Sequence, residues 1–401
     1  MRPVVASGTA GRILLLTALY FAQGLPFGIF TQALPVMMRQ QGHSLEAIGL
    51  SNLLALPWVL KFMWAPAVDH IRGPRRNVIL PLNLAAAALL VALGLTEPGA
   101  IGPLVAVVFS CNLLAATQDV ATDGLAVETL RDDERGLGNG VQVAGYRLGM
   151  VFGGGVLVQL FGSWGWFSTF ATAAAALVVV TAPLFWVPPA PRVPPADPEI
   201  GAQVLRWDRW FAGRDGFVWF VLLLTYKLGD AFGTAMVKPM LVDQGLDLEQ
   251  IGALLGLRGS VAGMIGALIG GAVASRVPRR TALVGFGLLQ VPALATWWGV
   301  ARLGPAYAPS AVIVEHLVSG MATAALFTAM MDMCRPGRAG TDYTVQASVV
   351  VLAQGVFAVA SGWSAARLGF EGHLLVATAL CLVPVVWLAR VRSGSARFRL
   401  A

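Results

Sequence analysis

Charged residues inside long apolar segments are the first feature of this sequence that could do chemistry. The chain has three lysines, and each lies in such a segment: Lys61, Lys227 and Lys238. Acids and arginines occupy similar segments: Asp119, Asp123, Arg147, Asp230, Arg258 and Glu315. An ionisable side chain in hydrocarbon is costly unless it is paired or lines a water-filled cavity. These residues therefore indicate a pathway for a polar solute or a proton.

Four of these charges are predicted to meet in the first half of the chain. Asp119 and Asp123 are one helical turn apart and share a helix face. Arg147 lies about as far beyond the next loop as Asp119 lies before it, and Lys61 lies at a similar depth. We expect Arg147 to balance Asp119 or Asp123. The group is either a fixed ion-pair network or the lining of a substrate cavity, and loss of one buried partner would be strongly destabilising.

A second group of charges is predicted in the other half. Lys227 and Asp230 are three residues apart, and Arg258 lies at a matching depth on the next apolar segment. A conformational change that alters the distance between an acid and its cations can switch the proton on the acid. A permanent salt bridge to Lys227 or Arg258 is the alternative. Asp230 is the first choice for proton coupling, and the full set of candidates is Asp230, Asp119, Asp123 and Glu315.

Glu315 and His316 form a third candidate group. Histidine titrates near neutral pH and could relay a proton, although a histidine hydrogen-bonded within the packing is the alternative. Aromatic rings could stack on a substrate, and amides could bind its polar groups. The remaining candidates for substrate contact are Trp58, Tyr146, Tyr226, Gln23 and Gln118.

The sequence gives no support to an enzyme. It contains no nucleotide-binding loop, no cysteine and histidine spacing typical of a metal site, and no nucleophile triad. We therefore expect no catalytic residues, no cofactor and no metal.

Composition explains how these charges must be positioned. Hydrophobic residues make up 57% of the chain and charged residues only 12%, which excludes an ordinary soluble domain. A membrane-spanning helix needs about 20 mostly apolar residues. Runs of that kind lie at about residues 13–38, 46–69, 78–95, 102–129, 138–161, 166–187, 216–242, 248–274, 281–301, 310–333, 342–366 and 373–390. The sequence predicts an all-α membrane protein with twelve transmembrane helices.

The arginines predict the orientation of these helices. If the amino terminus is cytoplasmic, the opposite side of the membrane keeps only Arg39, Arg302 and Arg367. Positive residues concentrate on the cytoplasmic side, so both termini are expected there. The net charge of +7 follows from this topology, and nucleic-acid binding has no support.

The second half of the chain is a diverged copy of the first. Residues 41–49 match residues 244–252, and Arg75-Arg76 recurs as Arg279-Arg280. Two copies of six helices predict a parallel repeat, an arrangement in which substrate binds near the midplane between the copies. The predicted domains are residues 1–187 and 216–401, joined by a cytoplasmic linker of residues 188–215.

Several motifs resemble the AmpG-like permeases of the major facilitator superfamily. They are residues 56–66 followed by Asp69, Gln118-Asp119 with Asp123 and Glu128, residues 134–136, residues 145–150 and residues 226–231. The resemblance covers most of the chain. It implies two six-helix bundles in the bacterial inner membrane.

The same resemblance assigns a gating role to one loop. Asp69, Arg72, Arg75 and Arg76 are similar to the superfamily's motif between helices two and three. Glu128 and Asp332 occupy equivalent positions in the repeat and are expected to belong to the gate. Val273 aligns with Asp69, so only the first half is expected to keep this acid.

Three segments, residues 30–35, 121–127 and 341–346, are most similar to the siderophore-uptake branch of RhtX and FptX type. Resemblance to this branch implies import of a ferric siderophore across the inner membrane. We expect a monomer driven by the proton gradient. An anhydromuropeptide is the alternative substrate. A membrane-assembly factor without transport activity is the alternative of a different class.

Overall fold

The computed structural model describes residues 8–34, 38, 51–97, 101–186 and 213–390. These residues are almost entirely helical, and no β-strand occurs among them. The repeat segment at residues 41–49 and most of the linker at 188–215 lie outside the described residues. The predicted domain boundary at the linker therefore stays a prediction.

Nine described helices are long and apolar enough to cross a membrane. The last, Ala339–Arg390, contains two spans because the chain breaks at Gly369, which has a φ of 66°. Two further helices are not among the nine: one is broken into short pieces, with an apolar stretch of only Leu53–Met63, and the other begins at Arg135. Together the described segments give the twelve helices that the sequence predicts.

The first six helices are numbered in chain order. They are α1 (Thr9–Gly28, continued by π-helical Ile29–Ala33), α2 (Ser51–Ala55, Leu56–Leu60, Lys61–Met63 and Ala65–His70), α3 (Arg76–Gly94), α4 (Ile101–Thr129), α5 (Arg135–Val151, π-helical Phe152–Val156 and the start of Leu157–Thr181) and α6 (the rest of Leu157–Thr181, with Pro183–Trp186).

The second six helices follow the same numbering. They are α7 (Gly213–Thr225, Leu228–Thr234 and Val237–Asp243), α8 (Leu248–Ile251, π-helical Gly252–Arg258 and Gly259–Ala274), α9 (Arg279–Leu303), α10 (Ala308–Asp332), α11 (the start of Ala339–Leu380) and α12 (the rest of Ala339–Leu380, with Leu382–Arg390).

Two glycines at equivalent positions of the repeat separate the last two helices of each half. Gly165 divides α5 from α6 with a φ of 78°, and Gly369 divides α11 from α12 with a φ of 66°. A side chain would disfavour this left-handed backbone. Their equivalence supports the interpretation of the second half as a copy of the first.

Proline explains why α2 consists of short pieces. Pro57 and Pro66 each lie in the first turn of a new helical piece, because proline donates no backbone hydrogen bond and disfavours a continuous helix before it. Lys61 lies in the 3₁₀-helical turn between these pieces. The broken helix thus sets the direction in which this buried lysine points.

Contacts divide the described residues into two compact units. Unit 1 lies within Met1–Leu130, Ala144–Val204 and Cys334–Thr344, and unit 2 within Arg131–Val143, Leu205–Met333 and Val345–Ala401. Most of unit 1 comes from the first half of the chain and most of unit 2 from the second half. The beginning of α5 belongs to unit 2 and the beginning of α11 to unit 1.

Small residues allow close helix contacts in both units. In unit 1, a side chain on Gly24 or Gly28 of α1 would overlap the backbone of α5. In unit 2, a side chain on Gly266 or Gly270 of α8 would overlap the backbone of α10. Such contacts are typical of membrane helices, whose association depends on packing. They fix α5 against α1 and α10 against α8, the helices that carry candidate site residues.

Candidate substrate and proton sites

Unit 1 contains a buried charge cluster on α2 and α4. Lys61 Nζ forms an ion pair with Asp119 Oδ2, and the two side chains are only 10% and 8% exposed. Asp123, one turn along α4, accepts a hydrogen bond of 3.0 Å from the hydroxyl of Tyr20 on α1. The structure therefore brings together three of the four charges that were predicted to meet, with Tyr20 as a partner that sequence reasoning missed.

The predicted role of Arg147 stays a prediction. The structure gives Asp119 a cationic partner in Lys61, and Arg147 is half-buried on α5. Equal depth was the only basis for pairing Arg147 with an acid.

Three aromatic side chains lie beside this charge cluster. The centre of the Phe27 ring on α1 lies 5.5 Å from that of Trp58 on α2 and 5.7 Å from that of Tyr146 on α5. The ring centres of Trp58 and Tyr146 lie 6.1 Å apart. All three rings are half-buried. Lys61 Nζ lies 5.4 Å from the centre of the Trp58 ring, a distance suited to a cation–π contact. The predicted residues Trp58 and Tyr146 thus form an aromatic group together with Phe27.

Amide side chains complete the polar surroundings in unit 1. Gln23 is 1% exposed, and neither Oε1 nor Nε2 of its amide has a hydrogen-bond partner among the described residues. It lies one turn from both Tyr20 and Phe27 on α1, so it shares their helix face. Gln118 Nε2 donates to Thr122 Oγ1 at 3.0 Å, while its Oε1 has no such partner among the described residues. Buried amide atoms without partners are unusual, and they are suited to binding a polar ligand.

One further amide orients the aromatic group. Trp58 Nε1 donates a hydrogen bond of 3.1 Å to Asn112 Oδ1 on α4. Asn112 is fully buried in an apolar stretch of sequence. Its isolation there is the signal that sequence reasoning could have used.

Unit 2 contains a second buried charge cluster, centred on α7. Lys227 Nζ lies 2.7 Å from Asp230 Oδ2. Ser319 Oγ on α10 accepts a hydrogen bond of 2.9 Å from Lys227 and donates one of 3.1 Å to Asp230. Gln290 Oε1 on α9 accepts a longer hydrogen bond of 3.4 Å from Lys227. Sequence reasoning missed Ser319 and Gln290, because serine and glutamine gave no positional signal by themselves.

Glu315 joins this second cluster to a histidine. Glu315 lies one turn before Ser319 on α10, and Ser319 Oγ donates a hydrogen bond to Asp230. Glu315 Oε2 also lies 2.6 Å from His316 Nδ1, and the two side chains are 5% and 24% exposed. The structure therefore unites the second and third groups of sequence candidates into one cluster.

Two other predicted residues are placed differently. Arg258 is exposed and makes no ion pair among the described residues, so Lys227 is the cation that pairs with Asp230. Tyr226 donates its hydroxyl to the backbone oxygen of Leu283 at 2.9 Å. This bond gives Tyr226 a packing partner on α9, and its substrate role stays a prediction.

The predicted gating residues of the first half converge in unit 1. Arg75 Nη2 lies 2.6 Å from Asp69 Oδ1 and 2.7 Å from Glu128 Oε1. Burial alone would lower the pKa of Arg75, but hydrogen bonds to Glu128 and the charge of Asp69 raise it above its ordinary value. Asp69 also accepts hydrogen bonds from Thr341 N and Oγ1 at 2.7 and 2.6 Å. Arg72 is exposed and Arg76 half-buried.

The equivalent residues of the second half converge in unit 2. Asp332 accepts hydrogen bonds of 2.8 Å from both Arg279 Nε and Arg135 Nη1. Leu137 N donates a hydrogen bond of 3.0 Å to Ser275 Oγ. Ser275 therefore supplies a polar partner two residues after Val273. The second half lacks the acid, as the alignment indicates, but it keeps a hydrogen bond to the start of a helix.

Within the described part of the chain, no group of three or more histidine, cysteine or acidic residues is arranged to hold a metal ion. The two clusters are instead suited to binding charged or hydrogen-bonding solutes and protons. Membrane-spanning helices with paired internal charges define a transport protein that carries a solute through its interior.

Residues 16–358 match the family model of the Major Facilitator Superfamily. This match covers most of the chain, and the chain belongs to that family. It is a multi-pass membrane protein and a secondary transporter of this superfamily.

Individual proteins resemble the chain over nearly its whole length. The anhydromuropeptide permease of Escherichia coli K12 is 29% identical over 391 residues, covering 94% of this chain and 79% of the permease. The human organic anion transporter MFSD10 has a similar structure, with a TM-score of 0.73, 14% identity, and coverage of 95% of this chain and 99% of that one. The E. coli fucose:proton symporter FucP also gives a TM-score of 0.73, at 13% identity and with coverage of 94% and 97%. The two structures bear on the fold alone.

Proposed function

We propose that this chain imports an anhydromuropeptide, a sugar joined to a short peptide, across the bacterial inner membrane. Similarity to the E. coli anhydromuropeptide permease over 94% of the chain is the observation that carries this proposal. It favours the muropeptide alternative over a ferric siderophore, for which neither the family match nor this relative gives support. We also propose that the transporter acts as a monomer with both termini in the cytoplasm.

The chemistry of unit 1 is suited to such a substrate. Sugar rings present apolar faces that pack on aromatic rings, and Phe27, Trp58 and Tyr146 form a half-buried aromatic group. The amide atoms of Gln23 have no partner among the described residues, and they are suited to binding sugar or peptide hydrogen-bonding groups. Lys61, at the edge of the aromatic group, can attract a peptide carboxylate.

Arg258 supplies a second candidate for carboxylate binding. Its guanidinium is exposed and makes no ion pair among the described residues. A guanidinium binds carboxylates through two parallel hydrogen bonds. We propose that Arg258 contacts an acidic group of the substrate during transport.

Uptake by whole cells tests the proposed substrate class. A strain without its own muropeptide permease, expressing this chain, should accumulate labelled anhydromuropeptide and should not accumulate a labelled ferric siderophore. The reverse result would restore the siderophore hypothesis.

Uptake also distinguishes transport from a role in membrane assembly. Arg258→Gln is expected to reduce uptake, whereas Arg276→Gln, at another exposed arginine, should leave it unchanged. If the strain accumulates neither solute although the protein reaches the membrane, the assembly alternative is favoured.

Proton coupling is part of the same proposal, with Asp230 as the first candidate. Asp230 lies in the first turn of the middle piece of α7, beside Lys227. Asp119, Asp123 and Glu315 are the other candidates. A protonophore should abolish accumulation of the substrate. Accumulation that continues in its presence would exclude protons as the coupling ion.

A further inference from the structure

We propose that His373 of α12 is a positioning residue that holds the middle piece of α7, which follows Lys227 and carries Asp230. This piece, Leu228–Thr234, is only seven residues long and lies between two breaks of α7. A helix this short has too few internal hydrogen bonds to be stable by itself. Neighbouring helices must therefore set its position. The role of His373 in transport rests on the proposed function, whereas its contact with α7 does not.

A proline explains the second break of α7. Pro239 has no backbone N–H, and its ring clashes with a helical carbonyl four residues earlier, at Ala235. Met236 N donates to Gly233 O at 3.3 Å. In a regular α-helix the acceptor of this N–H would be Phe232 O. The break therefore leaves the carbonyl of Phe232 without its donor from the helix.

His373 supplies the missing donor. Its Nε2 lies 3.1 Å from Phe232 O, and the centre of its ring lies 4.6 Å from that of the Phe232 ring. His373 is fully buried. A buried carbonyl without a donor is costly. The hydrogen bond therefore stabilises the broken form of α7, two residues after Asp230.

The same contact determines where the imidazole carries its hydrogen. A carbonyl oxygen only accepts hydrogen bonds, so Nε2 of His373 must be the donor. Nδ1 is buried and has no hydrogen-bond partner among the described residues. A second hydrogen there would be a buried donor without an acceptor, which is unfavourable. His373 is therefore a neutral ring with its single hydrogen on Nε2.

Two glycines bring α7 close enough to α12 for this bond. A side chain on Gly229 would overlap Cys381 and the backbone of Ala377. A side chain on Gly233 would lie 3.0 Å from the Ala377 side chain. His373, Ala377 and Cys381 follow one another at intervals of four residues, so they share one face of α12. This face holds the middle piece of α7 by packing, and His373 adds a polar contact.

The middle piece of α7 is thus held by two helices. Ser319 of α10 hydrogen-bonds to both Lys227 and Asp230. His373 of α12 binds the carbonyl of Phe232. Loss of the His373 donor should loosen this piece and displace the charge pair that it carries.

NMR of the purified protein in lipid, with ¹⁵N-labelled histidine, tests the hydrogen bond without any substrate. The wild type should show a histidine with a bare Nδ1 and with a hydrogen on Nε2 that exchanges slowly with heavy water. His373→Gln should remove this signal. A signal that survives in folded His373→Gln would overturn the proposal, and so would a wild-type His373 that carries hydrogen on Nδ1.

Hydrogen–deuterium exchange measures the position of α7 directly. His373→Phe keeps a ring beside Phe232 but removes the donor, whereas His373→Gln keeps a donor. The amides of Leu228–Thr234 should exchange at least about fivefold faster in His373→Phe, because a buried carbonyl loses its partner. In His373→Gln their exchange should stay close to that of the wild type. Equal exchange in the two folded variants would refute the positioning role.

Pro239→Ala provides a second test of the same contact. It restores the N–H at this position and removes the clash, so α7 can continue as a helix in which Met236 N binds Phe232 O. His373→Phe should then speed exchange less in the Pro239→Ala background than in the wild type, and equal effects would contradict the proposal. If His373→Phe alone does not fold, the double variant should recover folded protein, and continued failure to fold would overturn the role of the hydrogen bond.

Uptake assays test the consequence for transport. His373→Phe should lower the rate of anhydromuropeptide uptake at least about fivefold, and His373→Gln should retain most of it. Undiminished uptake by folded His373→Phe would overturn the role in transport. If the wild type moves no anhydromuropeptide, the proposed substrate fails, while NMR and hydrogen exchange still decide whether His373 holds α7.

Discussion

Removing Lys61 should destabilise the protein more than removing Asp119. Lys61 forms an ion pair with Asp119 of α4, and Asp123 lies one turn along the same helix. Lys61→Met leaves two buried carboxylates with no cation from this residue, whereas Asp119→Asn leaves one carboxylate for one cation. The two side chains are 10% and 8% exposed. Loss of one partner should therefore destabilise the protein as it does for a buried ion pair.

The expected magnitude follows from this burial. Breaking a buried pair by removing one partner costs about 3–5 kcal/mol, compared with about 0.2–1 kcal/mol for an exposed pair. The loss of stability caused by Lys61→Met should lie in the range for a buried pair. The double variant Lys61→Met/Asp119→Asn should lose less stability than the sum of the two single losses, by about 0.5–3 kcal/mol, because residues in contact are coupled by about this amount.

Unfolding by SDS in detergent micelles, followed by tryptophan fluorescence, measures these free energies in a double-mutant cycle. Additive effects of the two substitutions would refute the ion pair. A parallel cycle with Arg147→Met and Asp119→Asn tests the pairing expected from the sequence. Coupling in that cycle and none with Lys61 would show that Arg147 is the true partner.

Three further predictions concern the gate, the helix packing and the topology. Arg75→Ala leaves Asp69 without its buried cation and should reduce uptake at least about tenfold, whereas Arg390→Ala, at an exposed arginine outside the gate, should change it little. Gly266→Leu should prevent folding, measured by size-exclusion chromatography, because it would overlap α10, while Gly285→Leu has open space and should fold. With the native cysteines replaced, Asp133→Cys should resist an impermeant thiol reagent added outside intact cells, and its labelling would overturn the orientation.

The repeat in the sequence indicates two equivalent ion pairs among the residues expected to form the gate. Arg75 and Glu128 recur at the same offset as Arg279 and Asp332. The structure contains an ion pair in each case. Pairs of this kind are predictable because both partners are duplicated together. The hydrogen bond of Ser275 is not predictable in this way, since the polar group has moved two residues along the helix.

The partner of Asp119 shows the limit of reasoning from depth. Lys61 and Arg147 were both placed near the depth of Asp119, but depth does not determine the direction of a side chain around its helix. The breaks of α2 at Pro57 and Pro66 change that direction for Lys61. The partner therefore depends on three-dimensional geometry that hydropathy does not contain.

The second charge cluster was predicted in parts and united only by the structure. Asp230 and Glu315 were separate candidates because they lie on helices far apart in sequence. Ser319, which hydrogen-bonds to both Lys227 and Asp230, gave no signal because serine is common in membrane helices. Glycines permit close packing between α8 and α10, and this packing positions the face of α10 that carries Ser319. The glycines in the sequence indicate that helices pack closely but not which helices meet.

Accumulation of labelled anhydromuropeptide by proteoliposomes tests the central claim most directly. With a proton gradient imposed, vesicles containing the purified protein should accumulate the substrate and empty vesicles should not. Trp58→Ala should raise the apparent KM about three- to tenfold through loss of aromatic contact, whereas Trp164→Ala, at a tryptophan that is 61% exposed, should not. Failure of the wild-type vesicles to accumulate the substrate, or equal KM values for the two variants, would contradict the account.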